Sequence, residues 1–162
     1  MVGDADGAGA GSNVALIRIP LTINGGATNG QSSNLTLSAA GLYSTSAAAY
    51  AVNLSGGTLQ VSGGTGDTPT PTVPPTPTPT QTGRQLTAGT YSAGAGQTFD
   101  MILKISESNG IAGGECELTF DGGLLTAGQA QTESQTSGFR IKSNPENGRI
   151  RIAMANATGA PS

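Results

Sequence analysis

Residues 69–82 read PTPTVPPTPTPTQT, an almost unbroken alternation of Pro and Thr. A tract of this kind is an extended, semi-rigid spacer with no core of its own. Here it falls near the middle of a chain of only 162 residues, a length that suits one domain or two very small ones. Residues 1–65 offer about four strand-like segments and residues 85–162 about five, and half a sheet of that size buries too little apolar surface to offset its chain entropy. Each half alone would also expose unpaired strand edges. The expectation is that 1–65 and 85–162 are two pieces of one fold and that 66–84 links them.

The strand-like segments are read from period-two alternation. NVALIRIPLTI (13–23) places Ile17, Ile19, Leu21 and Ile23 on one face and Arg18, Pro20 and Thr22 on the other, with Pro20 marking an edge or a bulge. SNLTLS, AYAVNLS and GTLQVS repeat the pattern more faintly between Gly, Ser and Asn. After the tract, QTFDMILKIS aligns Phe99, Met101, Leu103 and Ile105, and ECELTF follows. FRIKSNPENGRIRIA reads as a hairpin around an Asn, Pro and Gly turn. A helical period is conceivable only near LSAAGLYSTSAAAYA (37–51). The fold class expected is all-β, an eight- or nine-stranded β-sandwich.

Composition agrees and removes several functions. Apolar residues make up 35%, aromatics 4% and charged residues 10%, with 26 Gly and a net charge of −3. Disorder needs high net charge together with low hydrophobicity, so a thin-cored β domain with a hydroxyl- and amide-rich surface fits better. Such surfaces are common on secreted and cell-surface proteins. There is no basic stripe to displace counterions from a nucleic acid and no apolar run long enough to span a bilayer. The first residues, Met1-Val2-Gly3-Asp4, lack the basic start and apolar stretch of a signal peptide. With no His, the commonest general base and metal ligand is missing. Cys116 is the single cysteine, and alternation turns it inward with Leu118 and Phe120, so an inert buried thiol is expected. Asp100, Glu107, Asp121 and Glu133 are scattered, with no nucleophile beside a base, so no enzymatic activity is expected.

GIAGGECELTFDGGLLTAGQAQ (110–131) resembles the third-strand region of cohesin domains, the dockerin-binding modules of cellulosome scaffolds. GTYSAGAGQTFDMILKISESNG is similar to that family's opening turn and second strand, and GRIRIAMANATG to its sixth strand. The pieces that should follow resemble segments standing before the tract: GAGAGSNVALIRIPLTINGG, SSNLTLSAAGLY and YAVNLSGGTLQVSG. The resemblance thus implies a jelly-roll, cohesin-like topology in permuted order. Residues 1–65 would be the C-terminal half, 66–84 the Thr/Pro linker and 85–162 the N-terminal half. It also implies that the family's parallel first and last strands lie side by side, so the linker must run back along the domain. About 18 Pro-rich residues at roughly 3.1 Å each reach about 50 Å, enough for closure within one chain or between neighbouring chains.

Alternation defines a face. With Cys116, Leu118 and Phe120 inward, Glu115, Glu117 and Thr119 point out; with Phe139, Ile141, Ile150 and Ile152 inward, Arg140, Lys142, Arg149 and Arg151 point out. The resemblance implies that these strands are sheet neighbours and that their outer face receives the dockerin. Pairs of Glu115 or Glu117 with Arg149 or Arg151 would tile it. Two readings stay open: a solvated ladder of ion pairs, each contributing about 0.2–1 kcal/mol to the sheet, or a partner-binding surface. Aligned from Gly110, the family's dockerin-contacting Asn falls on Gly113, its Asp on Glu115, and the Pro after a later Asp on Gly122. One hydrogen-bonding side chain is therefore missing and another lengthened, so a standard dockerin partner does not follow directly.

Other candidates are narrower. GDADGAGAGSN (3–13) puts Asp4 and Asp6 at calcium-ligand spacing but lacks the bidentate Glu that closes such loops, so no cofactor is expected beyond a calcium alternative there. Asn34, Asn53 and Asn156 begin Asn-x-Ser/Thr sequons, and the Thr/Pro tract has a stalk-like composition suited to O-linked sugar. Three functions follow. The first is a non-catalytic extracellular or cell-surface scaffold module binding a dockerin-type protein. The second is a structural subunit that assembles with copies of itself into a fibre by sharing sandwich halves. The third is a carbohydrate-binding sandwich, for which only Tyr43, Tyr50 and Tyr91 could stack on a sugar.

Overall fold

The structure is a computed structural model that describes residues 12–63 and 83–156; the candidate calcium ligands Asp4 and Asp6 and nearly all of the Pro/Thr linker lie outside them. The first segment forms β1 (Ser12–Ile23), β2 (Ser32–Ser44), β3 (Ala49–Tyr50), β4 (Val52–Ser55) and β5 (Gly57–Val61). The second forms β6 (Arg84–Thr87), β7 (Thr90–Ala93), β8 (Thr98–Glu107), β9 (Ile111–Thr119), β10 (Leu125–Ala127), β11 (Gln131–Thr132), β12 (Phe139–Glu146) and β13 (Arg149–Asn156), with one 3-10 turn at Ser134–Thr136.

Two sheets face each other. A six-stranded sheet runs β10-β1-β8-β6-β4, with β11 also on β1, and a seven-stranded sheet runs β12-β13-β9-β2-β5-β7, with β3 on β2. The result is an all-β sandwich of two curled sheets, consistent with the jelly-roll fold of cohesins. The strand count of eight holds once continuity is respected. β4 and β5 are one strand passing between sheets, as are β6 and β7, while β3, β10 and β11 are edge pieces of two or three residues.

Both segments contribute to both sheets. β1 pairs with β8 on one side and with β10 and β11 on the other, all from the second segment. β2 lies against β9 over Thr36–Ser44. The two segments also meet in parallel, Val52–Ser55 beside Arg84–Thr87 and Thr58–Val61 beside Thr90–Ala93. Gly57 stands where the strands change sheet, and a Cβ there would sit 1.5 Å from the Gly89 carbonyl oxygen. No residue but Gly allows that approach. Arg84, which opens β6, is held over the Tyr50 ring at 3.4 Å and donates to the carbonyls of Glu107 and Asn109.

Between the sheets lies one hydrophobic core. Ile17, Ile19, Leu21 and Ile23 of β1 meet Phe99, Met101, Leu103 and Ile105 of β8, and all are buried as the alternation requires. From the other sheet come Leu35, Leu37, Leu42, Leu118, Phe139, Ile150 and Ile152. Among the described residues three register shifts break the ladders, the last of them between Tyr43 and Ser44; the other two change which residues face inward. One between Ala15 and Ile17 buries the consecutive Leu16 and Ile17, and one at Ser38 lets Leu37 and Leu42 both face inward. The stretch 37–51 is therefore strand, turn and strand, not helix. Pro20 lies on neither an edge nor a bulge: it pairs with Asp100 in β1·β8 and sits opposite the break between β10 and β11. A missing N–H costs no ladder bond at such a break.

Candidate functional site

The seven residues that alternation turns outward, and Gly113 from the family alignment, lie on one surface: the outer side of the seven-stranded sheet, where β2, β9, β13 and β12 lie side by side. Cross-strand register arranges that surface in rows. One row reads Tyr43, Gly113, Ala155, Arg140, and the next Gly41, Glu115, Ala153, Lys142. Then come Ala39, Glu117, Arg151, Asn144, and last Thr36, Thr119, Arg149, Glu146.

Charge on this face is partly paired. Arg151 Nε donates to Glu117 Oε2 at 2.8 Å, and Ser38 Oγ, projected by the bulge, donates to Glu117 Oε1 at 2.8 Å. These donors, Arg151 first and Ser38 second, hold the Glu117 carboxyl below the usual carboxylate range. The same bond raises the Arg151 guanidinium. Arg149 pairs along its own hairpin with Glu146, not across to β9. Of the expected pairs of Glu115 or Glu117 with Arg149 or Arg151, Glu117–Arg151 forms; among the described residues Glu115, Arg140 and Lys142 have no ion pair. The hydroxyl of Thr119 donates to the Thr36 carbonyl at 3.3 Å and so ties β9 to β2.

A shallow groove of about 560 Å³ opens over the middle rows. Ala39 and Ala153 form its floor, and Glu115, Glu117, Lys142 and Arg151 stand around it. Small side chains in mid-strand between long charged ones create the depression. Beneath it, burial pushes the Cys116 thiol up to about 12, with the Glu115 charge adding to the rise. The thiol is therefore protonated and inert, as the sequence implied.

Tyr43 also belongs to this face, though the sequence offered it only as a sugar-stacking candidate. It is exposed, and its ring folds back over Gly41, where a Cβ would come within 2.9 Å of its hydroxyl. The bulge at Ser38 decides which way Tyr43 points, and alternation alone does not reveal a bulge. The other tyrosines are engaged. Tyr91 is buried, tilted against Phe99 at 5.2 Å and bonded to the Ile102 backbone, and Tyr50 lies under Arg84 with its hydroxyl on the Gly110 carbonyl. An aromatic platform for a sugar does not form from these three.

Elsewhere, Gly122 packs on the β12–β13 turn, where a Cβ would come 2.1 Å from Asn147 Oδ1. This accounts for Gly where the resembling pattern has Pro. Asp100 and Glu133 meet around Arg18, at 3.4 and 3.5 Å. Among the described residues no three acidic or Cys side chains are placed to hold a metal ion. Asn34 is exposed on β2, whereas the amide nitrogen of Asn53 is buried without a hydrogen-bond partner.

The outer face of the seven-stranded sheet thus carries a shallow groove ringed by charges of both signs. In comparison with protein families, residues 84–162, just under half of the chain, match the model of the cohesin domain. Neither the search of curated proteins nor that of solved structures returned a match. Cohesin domains are protein-binding modules of scaffolds, not catalysts. No helix among the described residues is long and apolar enough to cross a membrane.

Proposed function

We propose that this chain is a non-catalytic, extracellular or cell-surface scaffold module that docks a dockerin-type protein on the outer face of the seven-stranded sheet. In this reading residues 1–65 and 85–162 are the C-terminal and N-terminal halves of a cohesin sandwich in permuted order. One observation carries it: the residues aligned with the family's contact strands form a continuous four-strand face with a groove over Ala39 and Ala153. Docking surfaces concentrate their affinity in such central, small-floored depressions ringed by polar groups.

Isothermal titration of a panel of purified dockerin modules tests the reading. Wild-type protein binds at least one of them. Ala153→Trp, which fills the groove from an exposed position, weakens that binding at least a hundredfold. Leu54→Ala, at an exposed site on the other sheet, leaves it unchanged. Undiminished binding by Ala153→Trp would remove this face from the function.

A second reading, self-assembly by exchange of halves, draws support from the interleaving of the segments. Every ladder partner of β1 comes from the second segment, so the same pairings are available between two copies. Growth of mass with concentration separates it from the first reading.

A further inference from the structure

The distribution of positive charge on the docking face points to the chemistry of the partner. The chain has 7 Lys and Arg residues and a net charge of −3, yet Arg140, Lys142, Arg149 and Arg151 all stand on the β12–β13 hairpin. Two are neutralised, Arg151 by Glu117 and Arg149 by Glu146. Arg140 and Lys142 are exposed and have no ion pair among the described residues. They alternate along one strand, so their stems leave the sheet about 7 Å apart on the same side.

The nearest carboxylate across the rows from Lys142 is Glu115, beyond Ala153. Two inter-strand spacings separate them at the backbone, about 10 Å, and no ion pair joins them. Both cations are therefore open to a carboxylate brought in by a partner. Glu115 has no ion pair among the described residues and stands at the groove, where a partner carboxylate over the floor meets like charge.

We infer that the partner presents an acidic segment whose carboxylates pair with Arg140 and Lys142 along β12, with a hydrogen-bond donor, not a carboxylate, over Glu115. The inference rests on the proposed docking function and deepens it by fixing the polarity of the partner. Rim charges of this kind act chiefly through association rate and salt dependence.

The test uses the dockerin panel, sorted by the charge of the modules' surface helices, against wild-type protein, R140E/K142E and Y43A. Each variant is first shown to be folded by its thermal transition. Acidic modules are expected to bind wild-type protein best. R140E/K142E is expected to weaken them at least tenfold, mainly in association rate, to flatten their salt dependence and to improve binding of basic modules. Y43A is expected to weaken all binders regardless of charge. Binding of wild-type protein that ignores module charge, or that survives R140E/K142E, overturns the inference while leaving the docking function standing. Binding by no module overturns the docking function and the inference with it.

Discussion

A Cβ on Gly57 would stand 1.5 Å from the carbonyl oxygen of Gly89, with the Gly89 carbonyl carbon at 2.4 Å. These two glycines join the end of the first segment to the start of the second, where the parallel strands pass together from one sheet to the other. The parallel pairing sets the task of residues 62–83. From the level of Val61 they must return to that of Val52 beside Arg84, about 30 Å at the rise of a strand. That is well within the reach of a Pro-rich chain of this length.

Gly57→Ala forces the two backbones apart, since the obstructing atoms are main chain and cannot rotate away. The expected loss is about 3 kcal/mol, at the upper end for overpacking, read from chemical denaturation. Gly25→Ala, where nothing lies within 4 Å, is expected to change stability by less than about 0.5 kcal/mol.

Ala47 takes a φ of 59° in the turn between β2 and β3, a region that disfavours any residue with a Cβ. Ala47→Gly relieves that strain but adds freedom to the unfolded chain, so stability is expected to rise by up to about 1 kcal/mol. A measured loss would contradict the turn geometry.

The Cys116 thiol, held near 12 by burial, ionises near 8.5 once unfolded. The native state then binds more protons than the unfolded state between those values. This site's contribution is therefore complete below about pH 8.5 and lost as pH rises toward 12. Cys116→Ala is expected to flatten the alkaline fall in stability. Labelling by a thiol reagent at pH 8 is expected to follow global unfolding, and rapid labelling of the native protein would contradict the burial.

Glu117 shows the opposite sign. Its carboxyl is lowered by Arg151 and Ser38, so the stability it contributes is present above the ordinary carboxylate value near 4.3 and fades as pH falls through its native value. Glu117→Gln is expected to reduce the acid-side slope of the melting temperature and to leave the region above pH 6 nearly flat. An unchanged acid limb would show that the Glu117–Arg151 bond does not persist in solution.

The sequence made some of this plain and hid the rest for identifiable reasons. Period-two alternation marked Ile17 to Ile23, Phe99 to Ile105 and the 139–153 hairpin, because a strand with one face in the core must alternate. It failed where a residue bulges. Leu37 and Leu42 are five apart, an odd spacing that fits a strand only with one extra residue, so 37–51 was open to a helical reading. The same bulge aimed Tyr43 at the outer face of the seven-stranded sheet and Ser38 at Glu117. Tyr91 could not be read as buried, because its cover is β8, contributed through the Ile102 backbone and Phe99. Alternation with the strand adjacency that the resemblance implied put Glu115 or Glu117 beside Arg149 or Arg151; that Glu117 takes Arg151, and Arg149 takes Glu146, depended on register.

The central claim is that one chain supplies both halves of one sandwich, and solution mass across a wide concentration range tests it most directly. Light scattering, with electron micrographs of the same samples, is predicted to give the mass of a single chain throughout. Mass that climbs with concentration, accompanied by filaments, would contradict closure within the chain and show that the halves are exchanged between molecules.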